Sequence, residues 1–126
     1  MVYPVSKYEA PQILPRLIAE LEELAELPEN WDGYGSPPIQ PPAKRTAYQL
    51  LEFLEKLVMP SPHFAPVSGG GLQLEWQAGK RELELEIFPN GEVSFLTVET
   101  SGEMEEGTFP ADFRTDLSRL ATWFKK

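Results

Sequence analysis

The spacing of apolar residues changes period partway along this chain, and that change constrains the fold more than any other feature. Leu72, Leu74 and Trp76 alternate with Gln73, Glu75 and Gln77, and Leu83, Leu85 and Ile87 alternate with Glu82, Glu84 and Glu86. A period of two sends successive side chains to opposite faces, so both segments read as strands with one apolar face. Residues 93–98 make a third strand, and a short fourth is expected over 103–109.

Upstream the period is close to 3.6. Ile13, Leu14, Leu17, Ile18, Leu21, Leu24 and Ala25 predict a helix over 11–27. Its start is expected near Leu14, because Pro15 is tolerated only in a first turn. Ala47, Leu50, Leu51, Leu54, Leu57 and Val58 predict a second helix over 42–58. Phe113, Leu117, Leu120, Ala121 and Phe124 predict a third over 111–124. The Pro- and Gly-rich stretches 28–42 and 59–71 read as irregular, with Gly69-Gly70-Gly71 a flexible entry to the first strand. The expected fold is α+β, in one domain spanning 1–126. A three- to four-stranded antiparallel meander carries two N-terminal helices and one C-terminal helix on one face.

Turn chemistry sets the register. Gly79-Lys80 has Gly first, as a two-residue type II′ turn requires. That turn pairs Trp76 with Leu83, Leu74 with Leu85 and Leu72 with Ile87. Pro89-Asn90-Gly91 favours a type I turn with Gly91 left-handed in a bulge. It pairs Ile87 with Val93 and Leu85 with Phe95. Every apolar residue then meets an apolar one.

The same register places Glu75 opposite Glu84, Gln77 opposite Glu82 and Gln73 opposite Glu86. Like charges set opposite each other cost some tenths of a kcal/mol. A surface shaped only for solubility intersperses its signs, and Lys and Arg are nearly absent here. The third strand adds Leu96 and Val98 beside the glutamates. Glu75, Glu82, Glu84, Glu86, Leu96 and Val98 are therefore the candidate protein-binding residues. The bland alternative is that another segment covers Leu96 and Val98 and the glutamates are simply solvated.

The chain of 126 residues carries a formal net charge of −9. Phosphate backbones and anionic membranes repel such a chain, so direct nucleic-acid or membrane binding is not expected, and a basic protein is the natural complement. There is no cysteine, which removes disulfides, thiolate metal sites and cysteine nucleophiles. The first residues lack the apolar stretch of a signal peptide, and no apolar run approaches the ~20 residues that cross a bilayer. A cytoplasmic location is expected.

Asn30-Trp31-Asp32-Gly33-Tyr34-Gly35 is the most distinctive stretch. Gly33 and Gly35 permit positive φ, and Asp32 can bind nearby backbone amides. Trp31 and Tyr34 offer two rings that could stack on a ligand or anchor a partner; alternatively Trp31 plugs the core between the first two helices. Together with Gly70-Gly71-Leu72-Gln73-Leu74-Glu75-Trp76, this loop resembles a family of small bacterial proteins with an Asn-Trp-Asp-Gly stretch and a Gly-Gly-x-x-Leu-Glu-Trp strand. The resemblance spans roughly residues 27–91. It implies a bacterial source and brings no activity with it.

No nucleophile elbow, phosphate loop or dinucleotide fingerprint occurs. His63 is the only histidine and sits between Pro62 and Phe64. No metal or cofactor is expected, and no catalytic residue is assigned. The leading expectation is a non-enzymatic binding module, antitoxin-like or immunity-like, that inhibits a basic protein. A homodimer joined across Leu96 and Val98 is the second reading. A small ligand-binding or enzymatic domain using the Trp31–Tyr34 loop is the third.

Overall fold

Alternating leucines on neighbouring strands can leave water only if something closes over them, and in this protein helices do. A computed structural model describes residues 5–126, with side chains from Leu14 onward. The elements in chain order are α1 (Val5–Ala25), α2 (Pro41–Lys56), β1 (His63–Val67), β2 (Gly71–Ala78), β3 (Arg81–Ile87), β4 (Val93–Val98), β5 (Met104–Thr108) and α3 (Arg114–Phe124). The strands form one antiparallel sheet in the order β1-β2-β3-β4-β5.

The register follows the turn chemistry. Trp76 pairs with Leu83, Leu74 with Leu85 and Leu72 with Ile87; Leu85 pairs with Phe95 and Ile87 with Val93. Gly79 has φ +62°, as the first central residue of a type II′ turn requires. In the next hairpin the Gly91 N–H donates to the Phe88 carbonyl at 2.8 Å, and the Phe88 N–H to the Glu92 carbonyl at 2.8 Å. Gly91, at φ +92°, is the left-handed bulge residue. The β4–β5 hairpin repeats the device with Gly102 at φ +93°.

Leu72, Leu74, Leu83, Leu85 and Ile87 are fully buried on the inner face, against Leu21 of α1, Ala47 and Leu50 of α2, and Leu117 and Leu120 of α3. Each such side chain contributes about 1.5–3 kcal/mol on burial. Trp76 joins them and donates its indole N–H to the Pro60 carbonyl at 2.7 Å.

Three expectations are corrected. The sheet has five strands rather than three or four, because residues 63–67, read as irregular, form β1. Pro66 hid this strand: proline is admitted to a sheet at an edge, where no ladder bond needs its nitrogen. Helix α1 begins at Val5 and runs through Pro11 and Pro15. Pro15 is exposed, so its ring takes no place in the packed side of the helix. Third, Gly70 and Gly71 are buried rather than a flexible lead-in. A Cβ on Gly71 would lie 2.6 Å from the Ile87 carbonyl oxygen, and one on Gly70 would lie 2.8 Å from Gln40 Cγ. Helix α2 ends in a Schellman arrangement, with the Met59 N–H on the Leu54 carbonyl and the Val58 N–H on Glu55. Val58 occupies the left-handed position at φ +55°, where glycine is usual.

Candidate functional site

The outer face of the sheet is open. The strand registers align His63, Glu75, Glu84, Leu96 and Glu106 in one row across all five strands. Ala65, Gln73, Glu86, Ser94 and Thr108 form the next row, and Gln77, Glu82, Val98 and Met104 a third. No lysine or arginine stands in these rows, and among the described residues no element lies over them. No segment among the described residues covers Leu96 and Val98. Both are half-buried, and Met104, paired with Val98, is 65% exposed.

The predicted residues Glu75, Glu82, Glu84, Glu86, Leu96 and Val98 are thus gathered on one surface. Residues of the two edge strands were not foreseen as part of it. Glu106, Met104 and Thr108 could have been found by carrying the alternation through the Thr100-Ser101-Gly102 turn, which repeats the chemistry of Pro89-Asn90-Gly91. The contribution of β1 required recognising an edge strand containing proline.

Two shallow depressions lie on this face and share Glu84. One, of about 440 Å³, is bordered by Glu84, Glu86, Ser94, Leu96, Glu106 and Thr108. The other, of about 340 Å³, is bordered by His63, Glu75, Gln77, Glu82 and Glu84. Glu84 stands at the centre of the charge. Partial burial raises its pKa above the ordinary carboxylate value, and the charges of Glu75, Glu82 and Glu86 raise it further. Gln73 donates to Glu75 at 2.8 Å. Among the described residues, no group of three or more His, Cys, Asp or Glu side chains is placed to hold a metal ion.

The Asn30–Gly35 loop is built differently. Asn30, Gly33 and Gly35 have φ of +61°, +79° and +85°. The Asn30 side-chain oxygen accepts from the Gly35 N–H at 2.6 Å. Asp32 accepts four hydrogen bonds: from the Tyr34 N–H at 2.9 Å, the Ser36 N–H at 3.2 Å, the Ser36 hydroxyl at 2.5 Å and the Ser68 hydroxyl at 2.8 Å. The Ser36 hydroxyl and the Tyr34 amide lead in holding its pKa well below the ordinary carboxylate range. Trp31 is half-buried and donates its indole N–H to the Pro37 carbonyl at 3.0 Å. It closes its own loop and is not among the side chains that form the core. Tyr34 is 94% exposed.

The Asn30–Gly35 loop and the Gly70–Trp76 segment are brought near each other by bonds to residues beside them. Asp32 reaches Ser68 at the β1–β2 turn, and the Gln40 N–H donates to the Gly70 carbonyl at 3.0 Å. The loop and the glycine turn therefore form one structural unit, held by hydrogen bonds that leave the Asp32 carboxylate little unused capacity. No helix among the described residues is long and apolar enough to cross a membrane. No family model matches the chain, and no curated protein or solved structure matches it.

Proposed function

We propose that the open face of the sheet is the docking surface for a basic protein, and that the chain acts by binding rather than by catalysis. The observation that carries this reading is the run Glu75, Glu82, Glu84, Glu86 and Glu106 across adjacent strands, with apolar Leu96 and Val98 among them and no basic residue in the same rows. Mutually repelling carboxylates cost stability, and a cationic partner relieves that cost. Complementary charge also speeds encounter and rejects wrong partners. Leu96, Val98 and Met104 supply the apolar contact that charge alone does not. An antitoxin-like or immunity-like inhibitor working in the cytoplasm fits these properties.

The test is a tagged pull-down from the native host, washed at rising salt, using wild type and a Glu75→Lys, Glu84→Lys, Glu86→Lys variant. A basic protein is expected to be retained at low salt and to elute as salt rises. The variant is expected to melt like wild type and to lose it. Retention of the same protein by the variant overturns the reading.

The 65% exposure of Met104 beside Val98 favours a second reading, a homodimer through this apolar strip. Light scattering that finds only monomer at high concentration excludes it.

A further inference from the structure

The two edges of the sheet are not equivalent. On β1, Pro66 has no N–H to offer, and α1 packs against the strand. Proline and a covering helix are two established ways of blocking an edge. Among the described residues, the outer side of β5 has neither.

Hydrogen bonding at the two ends of the β4–β5 ladder shows which β5 groups face outward. The Glu99 N–H donates to the Glu103 carbonyl at 2.8 Å, and the Phe109 N–H to the Val93 carbonyl at 2.8 Å. Antiparallel partners alternate between bonded and non-bonded pairs. Counting by twos from either end makes Thr97–Glu105 and Phe95–Gly107 bonded pairs. The pairs Val98–Met104, Leu96–Glu106 and Ser94–Thr108 are then non-bonded. The backbone N–H and C=O groups of Met104, Glu106 and Thr108 therefore point away from β4, and among the described residues nothing receives them. The same three residues put their side chains on the acidic face.

We propose that β5 takes up an extended basic segment of the partner as a sixth strand. That segment bonds to the outward N–H and C=O groups of Met104, Glu106 and Thr108, and it lays lysine or arginine side chains beside Glu106. The proposal rests on the reading of the open face as a docking surface for a basic protein, and it adds how the partner is held. Strands lie about 4.8 Å apart, so a lysine side chain from a sixth strand spans β5 and enters the depression between Glu106 and Glu84. Main-chain bonds supply affinity in such strand addition, and alternate side chains supply specificity. Charge selects a basic segment over a second copy of this chain. Antiparallel self-pairing of β5 about its centre, at Glu105 or Glu106, sets that glutamate opposite its own copy, and like charges so placed are destabilising.

The test uses fluorescence anisotropy with a labelled synthetic peptide of alternating lysine and valine, on the full chain. A control peptide of the same sequence is N-methylated at alternate residues, which keeps its charge and removes its strand donors. The plain peptide is expected to bind at least about tenfold more tightly than the methylated one. Thr108→Pro removes one outward N–H without touching charge or the β4–β5 ladder, and is expected to weaken the plain peptide by a similar factor. Equal binding of both peptides overturns strand addition. If that equal binding is also lost in the Glu75→Lys, Glu84→Lys, Glu86→Lys variant, the docking face stands without the sixth strand. Binding of neither peptide overturns both. The peptide comparison decides the matter even if Thr108→Pro fails to fold.

Discussion

Asp32 and Glu84 are both carboxylates near the surface, and their surroundings are opposite. Asp32 accepts four hydrogen bonds from its own loop and from Ser68, and its pKa is held far down. Glu84 is partly buried among Glu75, Glu82 and Glu86, and its pKa is pushed up. The first carboxylate is consumed by the fold: its charge ties the loop to the β1–β2 turn. The second is held where partial burial and three like charges disfavour its ionised form. A charge kept where it costs stability is the one free to act on something outside the molecule. The difference separates the distinctive loop, which is architecture, from the acidic face, which is available surface.

The scale is set by the neighbour of Glu84 on the same strand. Leu85 points inward and is fully buried. Leu85→Ala should cost about 2–5 kcal/mol, read from denaturant unfolding. A loss below that range would mean that the inner face is looser than its packing implies. Asp32→Asn comes next. At neutral pH it should lower the melting temperature by several degrees, since an amide cannot accept all four bonds. The pKa of Asp32 is depressed, so its contribution is full above the ordinary carboxylate range and is lost as pH falls towards the depressed value. The gap to wild type should therefore close on acidification. Melting curves with a pH-independent gap would remove the charge from this account.

Glu84→Gln is the smallest effect and has the opposite sign. It should stabilise by a few tenths of a kcal/mol at neutral pH, because exposed charges are well screened. A raised pKa means that the wild-type folded state is favoured below the ordinary carboxylate range and loses that advantage as pH rises through the folded pKa. The gain from Glu84→Gln should therefore be present at neutral pH and vanish on acidification. A destabilised Glu84→Gln protein would show that Glu84, like Asp32, serves the fold.

The parts of the fold that could be read from the sequence were those carried by local rules. Period-two alternation gave β2, β3 and β4, and the Gly79 and Gly91 turns gave their register residue for residue. The six candidate residues on the acidic face followed from that register, because a period of two leaves no freedom about which side chains share a face. The loop was legible only in part. Its glycines and the capacity of Asp32 to bind amides were foreseen. Its docking onto Ser68 and Gly70 was not, because nothing local links residues some 36 apart in the chain.

The sequence by itself determined the pairing of β2, β3 and β4, the segregation of leucine from glutamate, and the net charge of the outer face, since each depends on spacing and turn stereochemistry between near neighbours. Tertiary structure decided that Pro66 lies in an edge strand, that Trp31 closes its own loop instead of entering the core, and that none of the described residues covers the outer side of β5. Those outcomes depend on which distant segment arrives to cover which surface. Covering is a property of the packed chain, and no window of the sequence contains it.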